Sequence, residues 1–264
     1  MFDGVRQNAE MSVLTDEVTF GLGEMEIKHP QGTFAVTPAS LVSLKAIGIH
    51  RRHLSGNGID WGPGSGILSI TAARIEAVTK VYSLEIVPAN VETARENARF
   101  NAVADKTEFF HSASFSPFDK TDGETVAALK CKVQFVLANP PSSAGDDGFD
   151  FRRRILGEAP DFLTDGGVVF LSISYQYGQR RIASLTNDAP GFTHRGVLAT
   201  TDWVPFDLNR SDLLDCLRAY VQEERRGGFD YEFALPGEQA DDLVNAQAAM
   251  AYYERTGESP SSKW

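Results

Sequence analysis

Cysteine is nearly absent. The 264 residues hold two, Cys131 and Cys216, far apart, with no C-x-x-C pair and no clustered histidines. That excludes a disulfide framework and offers no zinc-ligand spacing, so no metal is expected. Both read as small hydrophobes in a reducing compartment. Long apolar runs are missing as well: none approaches about 18 residues, the length of a membrane span. The opening MFDGVRQNAEMS has neither a basic n-region nor an apolar h-region, so a soluble, unsecreted, cytoplasmic protein with no membrane partner is expected. Positive charge is scarce, with 25 Lys and Arg against 36 Asp and Glu and a net charge of −11. A binder of nucleic acid neutralises phosphates, so DNA or RNA is disfavoured as the principal substrate. The basic clusters Arg51-Arg52-His53, Arg152-Arg153-Arg154, Arg180-Arg181 and Arg225-Arg226 read as solvated helix faces or ends. His50, His53, His111 and His194 show no ligand spacing, and no internal repeat occurs.

Apolar residues are plentiful, 42% of the chain, enough for one large domain with appendages. Residues 1–37 read as an N-terminal segment and β-hairpin, 38–236 as the main domain, and 237–264 as a terminal helix and fraying tail. The densest pattern is NGIDWGPGSGILSI, residues 57–70. Ile59 leads to Asp60, glycines stand at 62, 64 and 66, and the run from Ile67 reads as a helix. Strand, glycine turn and helix start make a place where a ligand can approach the main chain and meet unpaired N–H groups. About twenty residues on, the strand Lys80-Val81-Tyr82-Ser83-Leu84 ends in Glu85, where a βαβ unit sets a carboxylate against ribose hydroxyls. A dinucleotide turn, G-x-G-x-x-G, needs a third glycine at 67, which is Ile67. A nicotinamide oxidoreductase is therefore disfavoured.

A second chemical motif ends another strand, Val133-Gln134-Phe135-Val136-Leu137-Ala138, which runs into Asn139-Pro140-Pro141-Ser142. Proline cannot continue a ladder, so the strand stops at the carboxyl edge of the sheet, where ligands of such folds lie. The Asn139 side-chain oxygen and the Pro140 carbonyl can accept both hydrogens of a planar amino group. That aims the nitrogen lone pair at an electrophile, and positioning supplies most of the help.

Asp60-x-Gly62-x-Gly64-x-Gly66 resembles motif I of the class I S-adenosylmethionine-dependent methyltransferases, with Glu85 at the place of the ribose-binding acid. Asn139-Pro140-Pro141 resembles motif IV of the amino-methyltransferases. Over residues 33–185 the pattern is most similar to the small-domain and protein-glutamine methyltransferases. The resemblance implies S-adenosylmethionine as cofactor, held by Asp60, Gly62, Gly64, Gly66, Glu85 and Asn139, and Asn139 and Pro140 as catalytic residues. Pro141 and Ser142 then face the substrate. Two departures stand out. The acid that holds adenine after the third strand is missing, leaving Ala113 and Ser114, with Ser114 taken as the cofactor contact and Asp119 further along the loop. Ser142 replaces the aromatic ring that would stack on a planar base. Together with the acidic charge, this favours a protein or small-molecule acceptor over RNA. An RNA base N-methyltransferase and a non-catalytic cofactor-binding scaffold are the alternatives; the second is opposed by intact Asp60, Glu85 and Asn139.

The implied fold is α/β: a doubly wound, mainly parallel, seven-stranded Rossmann-like sheet with an N-terminal β-hairpin. The hairpin reads from residues 18–20, 25–28 and 33–36 around His29-Pro30-Gln31-Gly32, with Pro38 opening a helix to residue 49. Residues 168–173 read as the fifth strand, and 192–200 and 229–235 as the last two, separated by a helix over 211–224. Trp203, Phe206 and Arg210 read as packing or as a pocket wall.

Overall fold

The computed structural model describes residues 4–33, 35–141, 147–237 and 243–264. The chain divides into two compact units, one of Met1–Ser142, Phe151–Ser172 and Gly196–Ala199, the other of Ser143–Asp150, Ile173–Arg195 and Thr200–Trp264.

The first unit opens with β1 (Val5–Gln7), β2 (Met11–Leu14) and β3 (Met25–Lys28), an antiparallel sheet in that order. The expected hairpin is corrected on three counts. Of its expected second arm, Thr33, Ala35 and Val36 lie in no strand, and residue 34 lies outside the described residues. Residues 18–20 form a turn, with Phe20 at φ 57° and the Thr19 hydroxyl bonded to the Asp16 and Gly23 carbonyls. The polar opening segment supplies two strands instead. Its polarity hides a paired interior: Ser12 is fully buried and its hydroxyl lies 2.8 Å from His29 Nε2.

Pro38 and a Thr37–Ser40 capping box start α1 (Pro38–His50). There follow β4 (Gly56–Trp61), α2 (Ile67–Ala73), β5 (Val78–Glu85), α3 (Pro88–Phe100), β6 (Thr107–Ala113), β7 (Ser116–Pro117), α4 (Lys120–Ala127), β8 (Val133–Ala138), α5 (Asp150–Glu158) and β9 (Leu163–Leu171). The sheet order is β7-β6-β5-β4-β8-β9, parallel throughout except for the short β7. The central strands β4 and β8 are buried along most of their length because helices cover both faces. Where they pair, Gly58 opposite Phe135 is obligatory, since a Cβ there would sit 2.1 Å from the Phe135 ring.

Helix α3 fastens the N-terminal sheet to this frame. Asn97 exchanges hydrogen bonds with the N–H and C=O of Lys28 at 2.9 Å each, and Asn101 does the same with Glu26 at 3.3 and 2.7 Å. The match is geometric: four helical residues advance about 6 Å, close to the roughly 6.6 Å of two strand residues.

The second unit holds α6 (Gln179–Ser184), β10 (Val204–Pro205), α7 (Ser211–Arg225), β11 (Phe233–Ala234), β12 (Leu243–Val244), α8 (Ala246–Thr256) and β13 (Ser261–Ser262); its strands pair antiparallel as β10-β13-β11-β12. The parallel sheet therefore has six strands among the described residues, not seven. Residues 192–200 contain Gly196 at φ 116° and an exposed Val197, and form no strand. Only Phe233–Ala234 of the other expected strand pairs, and it does so in the small sheet. The tail does not fray, because β13 pairs with β10 and β11. Phe206 is buried edge-on against Phe233, so it packs. Arg181 is buried as well, its guanidinium bonded to the Tyr177 and Asp230 carbonyls and 4.6 Å from the Tyr231 ring, which corrects the solvated reading of its cluster. Neither cysteine is in a disulfide; Cys131 is exposed and Cys216 half-buried.

Candidate active site

Trp61, the last residue of β4, is registered with Leu84 on β5 and with Ala138 on β8. The next residue on each of these three adjacent strands is Gly62, Glu85 and Asn139. Three sequence-predicted residues thus form one row across the carboxyl edge of the sheet, at about 4.8 Å between neighbouring strands.

The glycine turn occupies the middle of the row. Gly62, Gly64 and Gly66 take φ of 70°, 55° and 85°, the left-handed region. They differ in their surroundings. A Cβ on Gly62 or Gly64 would meet nothing within 4 Å, whereas one on Gly66 would lie 3.1 Å from the Ala94 side chain on α3. Gly66 is there for packing; the other two leave an open cradle. The Gly62 N–H donates to the Leu84 carbonyl at 2.9 Å, and Asn97 donates to the Ser65 carbonyl at 2.8 Å.

Glu85 is 4% exposed. Its two carboxylate oxygens accept the Gly64 and Val87 N–H groups, each at 2.9 Å. One acid therefore ties the glycine turn to the start of the next loop and keeps a lone pair on each oxygen for a ligand. Beyond it, Ile86 and Val87 expose apolar side chains.

Asp60 lies beneath the turn with no exposure. Its Oδ2 accepts the Ser69 hydroxyl at 2.5 Å, and Ser69 lies 2.8 Å from the Ser83 hydroxyl. Its Oδ1 has no partner among the described residues. Burial pushes the carboxyl up to about 7; the Ser69 bonds work against this and nearby Glu85 adds to it.

On the far side of β5, Ser114 sits at φ 58°, accepts the Trp61 indole N–H at 2.9 Å and donates to Glu158 at 2.8 Å. One lone pair remains on its oxygen. Asp119 is not in the row: its carboxylate caps α4 through the Thr121 and Asp122 N–H groups.

On the other flank, Asn139 is half-buried, Pro140 buried and Pro141 exposed; Ser142 lies outside the described residues. Sequence reasoning missed Arg152. It stands in a basic cluster read as solvated, yet it is 3% exposed. Its guanidinium donates to the Pro140 and Pro141 carbonyls, both at 3.1 Å, and to the Ser172 carbonyl at 3.2 Å. The signal was available: a turn with two prolines has carbonyls to satisfy and few N–H groups of its own.

A parallel sheet that reverses its winding beside β4, with a glycine turn, a strand-end acid and an Asn-Pro-Pro turn on one edge, defines a Rossmann-like class I methyltransferase domain. The model of the methyltransferase small domain family matches residues 24–188, and the chain belongs to that family. Among its relatives, the release factor glutamine methyltransferase of Bacillus cereus is 31% identical over 175 residues, 58% of this chain and 56% of the relative. The ribosomal protein L11 methyltransferase of Bacillus velezensis is 31% identical over 147 residues, 55% and 40% of the two chains. The chain spans about half the length of the relatives it matches. A Thermus thermophilus 16S rRNA N2 G1207 methyltransferase, solved with AdoMet and guanosine, superposes with a TM-score of 0.49 at 23% identity, over 65% of this chain and 45% of that one.

The family's cofactor is S-adenosylmethionine, and the residues present fit it. Gly62 and Gly64 leave open the space a Cβ would fill, and Glu85 has lone pairs for ribose hydroxyls. The unpartnered Asp60 Oδ1 gives the turn a buried acceptor that a cationic ligand above it stabilises. Among the described residues no group of His, Cys, Asp and Glu could hold a metal, and no helix is long and apolar enough to cross a membrane.

Proposed function

We propose that this chain transfers a methyl group from S-adenosylmethionine to an amino or amide nitrogen of a protein or small-molecule acceptor, with a carboxamide nitrogen preferred. The observation that carries the reading is the row Gly62, Glu85, Asn139, which sets the cofactor turn beside an acceptor-binding turn on adjacent strands. The names of the relatives, a release factor glutamine methyltransferase and a ribosomal protein methyltransferase, support a protein acceptor. The charge of −11 supports it too. Two cysteines outside any disulfide suit a reducing cytoplasmic setting.

When bound, the cofactor supplies a methyl group on a sulfonium centre. Gly62 and Gly64 would seat its methionine end, with Gly66 packing the turn on α3 and the Asp60 carboxylate below. Glu85 accepts from the ribose hydroxyls, and the free lone pair of Ser114 suits an adenine amino group. Asn139 Oδ1 and the Pro140 carbonyl accept the two N–H groups of the acceptor, which turns the nitrogen lone pair toward the methyl carbon. With the cofactor bound, the nitrogen would take the methyl group from the sulfonium sulfur and release a proton to solvent. Pro141 borders the acceptor.

The test offers labelled S-adenosylmethionine with three acceptors in parallel: a glutamine-containing peptide, a lysine-containing peptide and ribosomal RNA. The expected result is label on the glutamine peptide, with S-adenosylhomocysteine binding seen by calorimetry. Label on RNA alone overturns the choice of acceptor. NAD binding without S-adenosylhomocysteine binding overturns the whole reading.

A further inference from the structure

Two prolines give the Asn139-Pro140-Pro141 turn its direction and take away its means of holding itself. Neither has an N–H, so the fold can grip the turn's main chain there only through carbonyl oxygens. Arg152, the third residue of α5, takes both, with Nη2 on Pro140 and Nη1 on Pro141. Its Nε donates to the Ser172 carbonyl, and the Ser172 N–H in turn donates to the carbonyl of Ala138 at 2.9 Å. A single planar fork therefore fastens the turn to the end of the neighbouring strand, a geometry that the point charge of lysine does not reproduce.

We infer that Arg152 is a positioning residue for methyl transfer. It sets the direction of the Pro140 carbonyl and so the spacing of the two acceptors, that carbonyl and Asn139 Oδ1, that aim the nitrogen; the inference rests on the function proposed above. The Pro140 oxygen has two lone pairs, one for the guanidinium and one for the acceptor's N–H. Arg152 acts through the proline turn, while the glycine turn and Glu85 are tied to each other by the Gly64 N–H and to the next loop by the Val87 N–H. Loss of Arg152 therefore acts on the transfer step and spares cofactor affinity. Small misplacements of such contacts cost about 10²-fold in rate.

The experiment is single-turnover transfer to the glutamine peptide at saturating S-adenosylmethionine, with S-adenosylhomocysteine affinity and melting temperature read on the same preparations. Arg152→Met is expected to slow transfer about 10²-fold and to change affinity by less than about threefold, a split between the rate and binding constants. Arg152→Lys is expected to recover about tenfold of that rate, since it keeps a donor but loses the fork. On an Asn139→Ala background, Arg152→Met is expected to add less than about threefold, because both act through one pair of acceptors. A merely structural clamp gives another pattern: wild-type turnover per folded molecule, or affinity and melting temperature falling together with additive rate losses. Either overturns the inference. Where Arg152→Met does not fold, Arg152→Lys carries the same comparison. Should the wild-type protein leave the peptide unmethylated, the carboxamide reading fails on its own, and the clamp is judged by NMR of the cofactor-free protein. The Asn139 side-chain amide pair, assigned by its loss in Asn139→Asp, is expected to shift in Arg152→Lys while the Gly64 backbone amide stays put. An unmoved Asn139 pair overturns the inference.

Discussion

The glycine turn and the proline turn stand on adjacent strands and solve opposite problems. Residues 62–66 have conformational freedom and N–H groups to spend, so the turn is anchored by donating, Gly64 to Glu85 and Gly62 to the Leu84 carbonyl. Residues 139–141 are stiff and nearly without donors, so their turn is anchored by accepting, from the Arg152 guanidinium. The first presents backbone donors and a carboxylate to a ligand rich in hydroxyls; the second presents oxygens to a ligand that brings N–H groups. On the proposed function, two turns of contrary chemistry in one row give each partner of the group transfer its own place.

That contrast can be broken turn by turn. The largest effect is expected at the proline turn. Asn139→Ala loses one of the two oxygens that aim the nitrogen, and comparable preorganised contacts are worth about 2.7 to 4 kcal/mol, or about 10² to 10³ in rate. Single-turnover transfer by the folded variant checks this, and Asn139→Asp, which keeps an oxygen, is expected to retain more. A smaller effect separates the glycines. Gly66→Ala combines a left-handed φ with a 3.1 Å approach to Ala94, and is expected to lower unfolding free energy by about 2 to 3 kcal/mol. Gly64→Ala has the φ cost alone, about 1 kcal/mol, but its methyl group enters the cradle and should weaken S-adenosylhomocysteine binding more than Gly66→Ala does. Urea unfolding and calorimetry on the pair check this; equal destabilisation would remove the distinction drawn here. The remaining effect is electrostatic and is spread over pH. Asp60 holds its proton in the folded chain to about pH 7, while in the unfolded chain it ionises near its ordinary value. Between about pH 4 and 7 the folded state binds the extra proton, so stability falls as pH rises, by up to about 1.4 kcal/mol per unit. Above about 7 this contribution is gone. Asp60→Asn is expected to flatten that part of the stability curve relative to wild type, which urea unfolding across the range measures.

The two turns also differed in how far they could be read in advance. A glycine turn is written in one stretch: the residues that bend the chain, the helix that follows and the acid twenty residues on are local, so Gly62, Gly64, Gly66 and Glu85 stand out by spacing and Asp60 by its resemblance to the family motif. The proline turn was legible only in its own three residues. Its anchor comes from residue 152, and nothing in the run Arg152-Arg153-Arg154 says which of the three turns inward; that is decided by how α5 packs. The same holds at the edges of the fold. β1 and β2 were hidden because Ser12 is buried against His29, a partner seventeen residues away. The sixth and seventh strands were expected from apolar stretches whose residues find no place beside β9. Local chemistry reads well from sequence, and satisfaction across distance does not.

The most direct test of the division between the turns measures cofactor affinity and saturated single-turnover rate for Glu85→Ala and Asn139→Ala side by side. Removing the Glu85 carboxylate takes away charge-assisted hydrogen bonds worth about 1.5 to 3 kcal/mol, so S-adenosylhomocysteine affinity is expected to fall about 10- to 100-fold. At saturating S-adenosylmethionine that variant should still transfer at near the wild-type rate. Asn139→Ala should do the reverse, with affinity near wild type and the saturated rate lowered about 10² to 10³-fold. A matched loss of affinity and rate in both variants would contradict the account, because the two turns would then be one site.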